Sequence, residues 1–214
     1  MGEVLKHKKT FHKLEYEINN QNIVIEGPID EKTLKTYSFD STLEAFRRPY
    51  DQFEALQEIA TLKEGRIIIA RVDNHIIGYV TYHRPDEFER WSLGNHEFIL
   101  ELGAVEVSKK FRNSKIGKNL LKLSFMDDYM ENYIVLTTEY YWHWDLKGTG
   151  LDVYEYKDLM IRLMAVAGFE VFMTNDPEIT SHPANTLMAR IGKYINTEQR
   201  IIFDKIRFKN RFFF

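Results

Sequence analysis

Residues 112–118, RNSKIGK, combine positive charge with a glycine immediately before a predicted helix. The first N–H groups of a helix have no partner inside the helix, and the helix dipole favours negative charge at that end. Arg112, Lys115 and Lys118 would add positive charge there, and Gly117 would let a bulky group approach the backbone. The segment is therefore suited to binding a phosphate group. The alternative is an ordinary turn of an α/β protein with no ligand.

The elements on either side of this segment are a predicted strand and a predicted helix. Residues 100–107 form a short apolar run with β-branched residues, which is typical of a strand. After the segment, apolar residues recur at helical spacing and predict a helix that ends near Met130. Asp127, Asp128 and Glu131 cluster at its end, and we interpret them as a solvated face rather than as metal ligands.

The rest of the chain predicts further strands and helices without repeats or a low-complexity linker. An asparagine-rich turn between two alternating runs predicts an N-terminal hairpin, with strands around residues 14–18 and 23–25. Strands are also predicted over residues 66–71, 76–82, 133–138 and 169–173, and helices over residues 50–62, 151–167, 184–191 and 197–209. We predict an α/β (α+β) fold with one domain over residues 1–214, in which residues 1–45 form an extension packed on the rest.

Composition excludes several classes of function. The formal net charge of −3 over 214 residues does not suggest a nucleic-acid-binding protein. The chain has no cysteine, which excludes disulfides, cysteine nucleophiles and cysteine metal sites. No apolar run approaches the length of a membrane span, and residues 1–16 lack the apolar core of a signal peptide. We therefore expect a cytoplasmic protein that binds no metal, no membrane and no nucleic acid.

The segment RNSKIG resembles the Gln/Arg-x-x-Gly-x-Gly/Ala loop with which the GNAT (GCN5-related N-acetyltransferase) family binds the pyrophosphate of acetyl-CoA. Lys115 stands where the family has its first glycine. If the backbone there is left-handed, lysine costs roughly 1 kcal/mol. The resemblance implies contacts with acetyl-CoA from the loop and from the strand before it. The implied residues are Val105, Val107, Arg112, Asn113, Ser114, Lys115, Ile116, Gly117 and Lys118.

The resemblance covers nearly the whole chain, from about Ile23 onward. The stretches GRIIIARVDNHIIGYVTY, MENYIVLTTEYYWHWDLKG and EITSHPANTLMARIGK are similar to the acetoin-utilisation acetyltransferases of Gram-positive bacteria. This likeness implies the GNAT fold, a mixed central β-sheet flanked by helices, here with the extra N-terminal hairpin. It also implies acetyl-CoA as co-substrate and a protein lysine as acceptor. The protein substrate that it implies is acetyl-CoA synthetase, which links the chain to acetate and acetoin metabolism.

The resemblance also indicates where acid and base groups belong. Several protein-acetylating GNAT enzymes carry a base glutamate at the position of Glu101, and a carboxylate at the start of a buried strand can have a raised pKa. The alternative for Glu101 is a solvated strand end, and Glu139 is the reserve candidate for the base. In the family, a tyrosine four residues before the glycine of a Gly-Phe pair often serves as general acid. Here that position holds Met164.

The stretch EYYWHWDLKG, residues 139–148, is unusually rich in aromatic residues and follows a strand end, where α/β proteins often bind ligands. Tyr141, Trp142 and His143 are therefore candidates for an acceptor pocket or a partner-binding surface. The alternative is a wedge that packs two layers together. His143 could carry a proton or hold a structural hydrogen bond. Trp91, in the loop before the central strand, is either a lid or a packing residue.

Two other functions stay open at this point. A small-molecule N-acetyltransferase would have a closed pocket lined by Trp91, Tyr141 and Trp142. A non-catalytic acetyl-CoA-sensing module would bind a partner enzyme, and the two departures from the family pattern leave room for it. At the C-terminus, Phe212, Phe213 and Phe214 would form an adhesive patch if exposed. We expect them to dock on the body of the protein or on another subunit, which allows for a homo-oligomer.

Overall fold

Strands and helices are interspersed along residues 5–209, which are the residues that this computed structural model describes. The strands are β1 His12–Ile18, β2 Gln21–Gly27, β3 Ser38–Phe39, β4 Arg66–Val72, β5 His75–His83, β6 Ile99–Val107, β7 Ile134–Glu139, β8 Glu170–Phe172 and β9 Thr186–Ile191. The helices are α1 Glu31–Leu34, α2 Pro49–Thr61, α3 Ile116–Ser124, α4 Leu146–Thr149, α5 Val153–Ala165, α6 Pro177–Thr180 and α7 Thr197–Arg207.

The described chain divides into two units. The amino-terminal unit comprises Lys6–His83 and Leu102–Met130. The carboxy-terminal unit comprises residue 5, Arg84–Glu101 and residues 131–209. Strand β6 contributes its first three residues to the carboxy-terminal unit and the others to the amino-terminal unit. The prediction of a single domain over residues 1–214 stays a prediction.

In the amino-terminal unit, the predicted hairpin extends an antiparallel sheet. Strands β1 and β2 pair from His12 opposite Gly27 to Ile18 opposite Gln21, and β2 pairs with β4, which pairs with β5. Asn19 and Asn20 have positive φ, as a tight hairpin turn requires. The hairpin prediction is confirmed, and the hairpin lies at the edge of this sheet.

Helices α1 and α2 cover one face of that sheet. Asp30 accepts a hydrogen bond from the Thr33 N–H at 2.9 Å and so caps α1. Apolar side chains from the helices and strands form one buried cluster there. Its members are Ile29, Leu34, Leu43, Leu56, Ile67, Ile69, Ile76, Tyr79 and Ala104.

In the carboxy-terminal unit, β7 lies between β6 and β9. It runs parallel to β6, from Ile134 opposite Ile99 to Leu136 opposite Glu101, and antiparallel to β9, which also pairs with β8. Helix α7 and the turn at Arg90–Ser92 contribute to the core of this unit. The cluster contains Trp91, Phe98, Ile99, Ile134, Leu136, Leu187, Ala189, Ile195, Phe203 and Ile206.

The helix predicted over residues 184–191 is wrong, because residues Thr186–Ile191 form strand β9. The leucine, methionine and alanine in this stretch are good helix formers, but helix propensity is only a weak guide to the structure adopted. The stretch is six residues long and lies between Pro183 and Gly192, and it pairs with β7 along its whole length. Pairing between two buried strands outweighs the local propensity.

Two further expectations fail near residue 127. Helix α3 ends at Ser124 rather than at Met130, and Asp127 is buried instead of solvated. Its carboxylate accepts N–H groups from Thr10 at 3.1 Å and Tyr129 at 3.0 Å, and it lies 3.9 Å from the guanidinium of Arg66. These groups replace the water that the prediction assumed.

Within residues 5–209, no helix combines the length and the apolar character needed to cross a bilayer. The same residues contain no group of three or more histidine, aspartate or glutamate side chains placed to hold a metal ion. Residues Phe212–Phe214, for which docking was predicted, lie outside the described residues.

Candidate active site

The basic segment connects the end of β6 to α3 through two residues in the left-handed conformation. Asn113 has φ +65°, and Lys115, which precedes the first residue of α3, has φ +66° and ψ +5°. The position that is glycine in the family pattern therefore does have the glycine-type backbone. Lysine there costs roughly 1 kcal/mol, which suggests that its side chain compensates by a role of its own.

The first turn of α3 offers an anion site on the amino-terminal unit. Lys115 makes no side-chain hydrogen bond to cap the helix, so its side chain does not occupy the first N–H groups. The side chains of Lys115 and Lys118 are exposed beside this turn. A groove of about 590 Å³ borders the segment, and Arg112, Asn113 and Ser114 form part of its wall. Backbone donors, the helix dipole and lysine charge together favour a phosphate group.

Strand β6 presents a partly exposed side beside this segment. Val105 and Val107 are partly exposed and alternate with the buried residues Ala104 and Glu106. The Glu106 carboxylate accepts the Tyr79 hydroxyl at 2.7 Å and the Ala45 N–H at 2.9 Å. Burial raises the pKa of Glu106. Because both of its oxygens are engaged, we assign Glu106 to the structure of the unit rather than to chemistry.

Glu101 is a partly buried carboxyl group on the carboxy-terminal unit, at the last residue of β6 that pairs with β7. Burial is the largest cause that raises its pKa to about 8, and the nearby carboxylates of Glu89 and Asp86 contribute to the same shift because like charges disfavour ionisation. In the described part of the chain, no hydrogen bond holds this carboxyl group in a structural role. A carboxyl group with such a pKa can exchange protons near neutral pH.

Glu139, the reserve candidate for the base, also has a raised pKa, but its carboxyl group has a hydrogen-bond partner. Burial raises its pKa to about 7, and it accepts a hydrogen bond from the Trp144 Nε1–H at 3.1 Å. Trp144 in turn stacks on Tyr156, with ring centroids 5.1 Å apart.

The two glutamates lie on opposite faces of this part of the sheet. Glu101 pairs with Leu136, and paired residues of neighbouring strands project to the same face. Glu139 follows Leu136 by three positions and therefore projects to the other face. They do not form a carboxylate pair, and only one of them can reach a given bound acceptor.

The aromatic stretch forms a partly exposed stack on the carboxy-terminal unit. Tyr140 stacks on Trp142 with centroids 4.7 Å apart, and the ring of Tyr141 lies 4.2 Å from that of His182. The Trp142 Nε1–H donates to His143 Nε2 at 3.1 Å. Partial burial lowers the pKa of His143, and an imidazole that accepts this bond is neutral. The Trp142 side chain is nevertheless 51% exposed, so the stack presents an open surface.

Trp91 and Met164 lie in the protein interior and therefore do not fit a surface site. Trp91 is only 3% exposed and belongs to the apolar cluster with Phe98 and Phe203, so packing rather than a lid is its observed role. Met164 is completely buried and has no proton to donate. The general acid of the family pattern is therefore missing from that position.

His83 ends strand β5 and is a further residue of interest that no sequence motif indicates. Its imidazole lies against the α-carbon of Gly103 in β6, where any other residue would place a side chain. A glycine inside a strand is a signal of such a close approach. That signal was available at Gly103, but only the structure supplies the partner.

Comparison with known proteins adds independent findings. Residues 32–143 match the model of the acetyltransferase (GNAT) family. The chain is 54% identical over 210 residues to the acetoin utilization protein AcuA of Bacillus licheniformis and 51% identical over 210 residues to that of Bacillus subtilis. Each match covers 98% of this chain and 100% of the relative.

A solved structure agrees with these relatives. The crystal structure of an acetoin utilization protein from Exiguobacterium sibiricum matches with a TM-score of 0.93 and 53% identity, over 95% of this chain and 97% of that chain. The predicted fold is confirmed: it is the GNAT fold, an α+β fold whose mixed, mostly antiparallel central sheet is flanked by helices.

Proposed function

Since the chain belongs to the acetyltransferase (GNAT) family and is an N-acetyltransferase that uses acetyl-CoA, we propose that its acceptor is a lysine side chain of a protein, acetyl-CoA synthetase. The relatives named for acetoin utilization support a role in acetate and acetoin metabolism. Acetylation would then regulate the activation of acetate in the cytoplasm. The observation that carries the proposal is the position of Glu101, a partly buried carboxyl group at the last residue of β6 that pairs with β7, where burial and neighbouring carboxylates raise its pKa.

In this proposal, acetyl-CoA binds to the amino-terminal unit. The pyrophosphate lies at the first turn of α3, where free N–H groups and the charges of Lys115, Lys118 and Arg112 favour it. The pantetheine arm extends along β6, and its amide groups bond to the backbone of Val105 and Val107. The partly exposed side of this strand leaves room for an extended ligand.

The acceptor lysine arrives as an ammonium ion and must lose a proton before it attacks. The carboxylates of Asp86 and Glu89 favour the approach of a cation, and an ammonium ion beside Glu101 favours the ionised form of its carboxyl group. Glu101 takes the ammonium proton, directly or through a water molecule. The neutral nitrogen then attacks the thioester carbonyl carbon, a C–N bond forms, and the C–S bond breaks. The CoA thiolate leaves, and the further proton that the attacking nitrogen must lose passes to it, directly or through water.

A protein acceptor agrees better with the surface than a small molecule does. The small-molecule alternative requires a closed pocket lined by Trp91, Tyr141 and Trp142. Trp91 belongs to the core instead, and half of the Trp142 side chain faces solvent. An open aromatic surface suits contact with a folded protein, because aromatic side chains contribute strongly to protein interfaces. Tyr141, Trp142 and His143 are the residues that we assign to this contact.

The test is transfer of labelled acetyl groups from acetyl-CoA to purified acetyl-CoA synthetase. We expect the wild type to label a lysine of the synthetase and Glu101→Gln to label it at least a hundredfold more slowly. Glu139→Gln is the matched control, because it removes a perturbed carboxyl group from the opposite face. Wild-type protein that binds acetyl-CoA and the synthetase without transferring label would instead indicate the non-catalytic sensor.

A further inference from the structure

The space beside Gly103 is occupied by one side chain. A β-carbon built at residue 103 would lie 2.3 Å from Nε2 of His83, and its three nearest neighbours are all atoms of that imidazole. Real β-carbons do not approach other atoms so closely. The His83 ring therefore could not keep this position if residue 103 carried a side chain. Glycine at position 103 therefore allows the His83 imidazole to lie against β6.

The location of this contact along β6 makes it relevant to chemistry. Gly103 is itself exposed, and His83 is partly exposed. Gly103 precedes Val105 by two residues, a distance of about 7 Å along a strand. In the proposed binding mode, the pantetheine arm runs along Val105 and Val107 with its pyrophosphate end toward α3. The thioester then lies on the other side of Val105, at Gly103.

We propose that His83 is a further catalytic residue, whose ring N–H donates a hydrogen bond to the carbonyl oxygen of the bound thioester. This inference rests on the acetyl-CoA binding mode proposed above. When the amine attacks, the carbonyl oxygen gains negative charge, and a donor fixed in place stabilises that charge. Gly103 is the positioning residue, since only glycine leaves room for the ring.

Substitutions at His83 separate hydrogen bonding from packing. His83→Phe keeps a ring but has no N–H donor, whereas His83→Gln carries an amide N–H near the position of Nε2. We expect His83→Phe to lower kcat by about 10²-fold or more, as loss of an oxyanion donor does, with little change in the affinity for acetyl-CoA. His83→Gln should recover part of this loss. His12→Phe, in the edge strand β1, is the control and should keep wild-type kcat.

A double-mutant cycle tests the role of the glycine. We expect Gly103→Ala to lower kcat about as much as His83→Ala does, because the new methyl group displaces the imidazole. Once His83 is alanine, the three nearest obstacles to that methyl group are gone. The double variant should therefore be no slower than His83→Ala alone. If the losses in kcat of the two single variants multiply in the double variant, the inference is wrong.

One readout is independent of any acceptor. In acetyl-CoA labelled with ¹³C at the thioester carbonyl, a hydrogen bond lowers the carbonyl stretching frequency. We expect the band of the bound ligand to move to higher frequency in His83→Phe and to return partly in His83→Gln. An unchanged band, with acetyl-CoA bound, would overturn the role of His83. A failure to acetylate the synthetase would refute the acceptor assignment only, because the infrared band does not depend on it.

Discussion

The basic segment before α3 and the glutamate at residue 101 acquire their chemistry in different ways. At the basic segment, the proposed binding groups are backbone N–H donors and adjacent lysines, all within seven consecutive residues. At Glu101, the active property is a pKa near 8, which burial and the carboxylates of Glu89 and Asp86 produce together. A site made from a helix terminus is local in sequence, whereas a site made from a shifted pKa depends on distant packing.

The strongest test of this difference is Glu101→Gln. Loss of the base should lower kcat by about 10²- to 10⁴-fold, while the dissociation constant for acetyl-CoA should stay within about twofold. Steady-state kinetics and calorimetry on the same preparation measure both quantities. If the affinity for acetyl-CoA falls together with kcat, the two regions are not functionally separable and the comparison fails.

The raised pKa of Glu101 also predicts how stability depends on pH. The unfolded carboxyl group ionises near its ordinary value of 4.5 and the folded one near 8, so the folded state binds more protons between these values. The free energy of unfolding should therefore fall as the pH rises through this range, by on the order of 3 kcal/mol.

Glu101→Gln should remove most of this pH dependence, because glutamine does not ionise. Urea unfolding of wild type and variant at pH 5 and pH 8.5 measures the effect, and the variant should be the more stable protein at pH 8.5. If the free energy of unfolding changes equally with pH in wild type and variant, groups other than Glu101 control the pH dependence.

A smaller effect is expected from charge in the basic segment. Arg112→Ala combined with Lys118→Ala should raise KM for acetyl-CoA about tenfold, which corresponds to roughly 1.4 kcal/mol. The kcat value should change little, since these side chains do not contact the reacting atoms. The difference between variant and wild type should shrink in high salt, which screens exposed charges. A change confined to kcat would contradict the phosphate assignment.

The smallest expected effect concerns the strained lysine. Lys115→Gly should raise the free energy of unfolding by about 1 kcal/mol at most, because glycine adopts positive φ without steric cost but has more freedom when unfolded. If the lysine side chain contacts phosphate, the same substitution should weaken acetyl-CoA binding severalfold. Denaturant unfolding and calorimetry give the two numbers, and a gain in both stability and affinity would refute the phosphate contact.

The same distinction explains what the sequence could predict. The hairpin, the strands and the loop before α3 follow from local patterns, and most of them are confirmed. The strand at Thr186–Ile191 was missed because its stability comes from β7, about fifty residues earlier in the chain. The role of Asp127 was missed because its partners, Thr10 and Arg66, are remote in sequence.

Within the candidate site, the sequence predicts which residues could take part but not which groups surround them. Resemblance was enough to select Glu101, but the opposite orientation of Glu139 requires the register between β6 and β7. The interpretation of Trp91 stayed open until its burial was known. His83 could not be selected, because a histidine at a strand end has no distinctive pattern and its contact with Gly103 joins two strands.

The surroundings of Arg66 have a practical consequence for trimming the protein. The Arg66 side chain is 1% exposed, and its guanidinium donates a hydrogen bond to the Lys8 carbonyl at 2.7 Å. The Thr10 N–H donates a hydrogen bond to the carboxylate of the buried Asp127. Residues 8–10 therefore satisfy two buried charged groups. Removal of the first ten residues would delete these partners, and a buried charge that loses a partner is costly. Such a shortened protein should be a poor choice for crystallisation, and an affinity tag is better placed ahead of the intact segment.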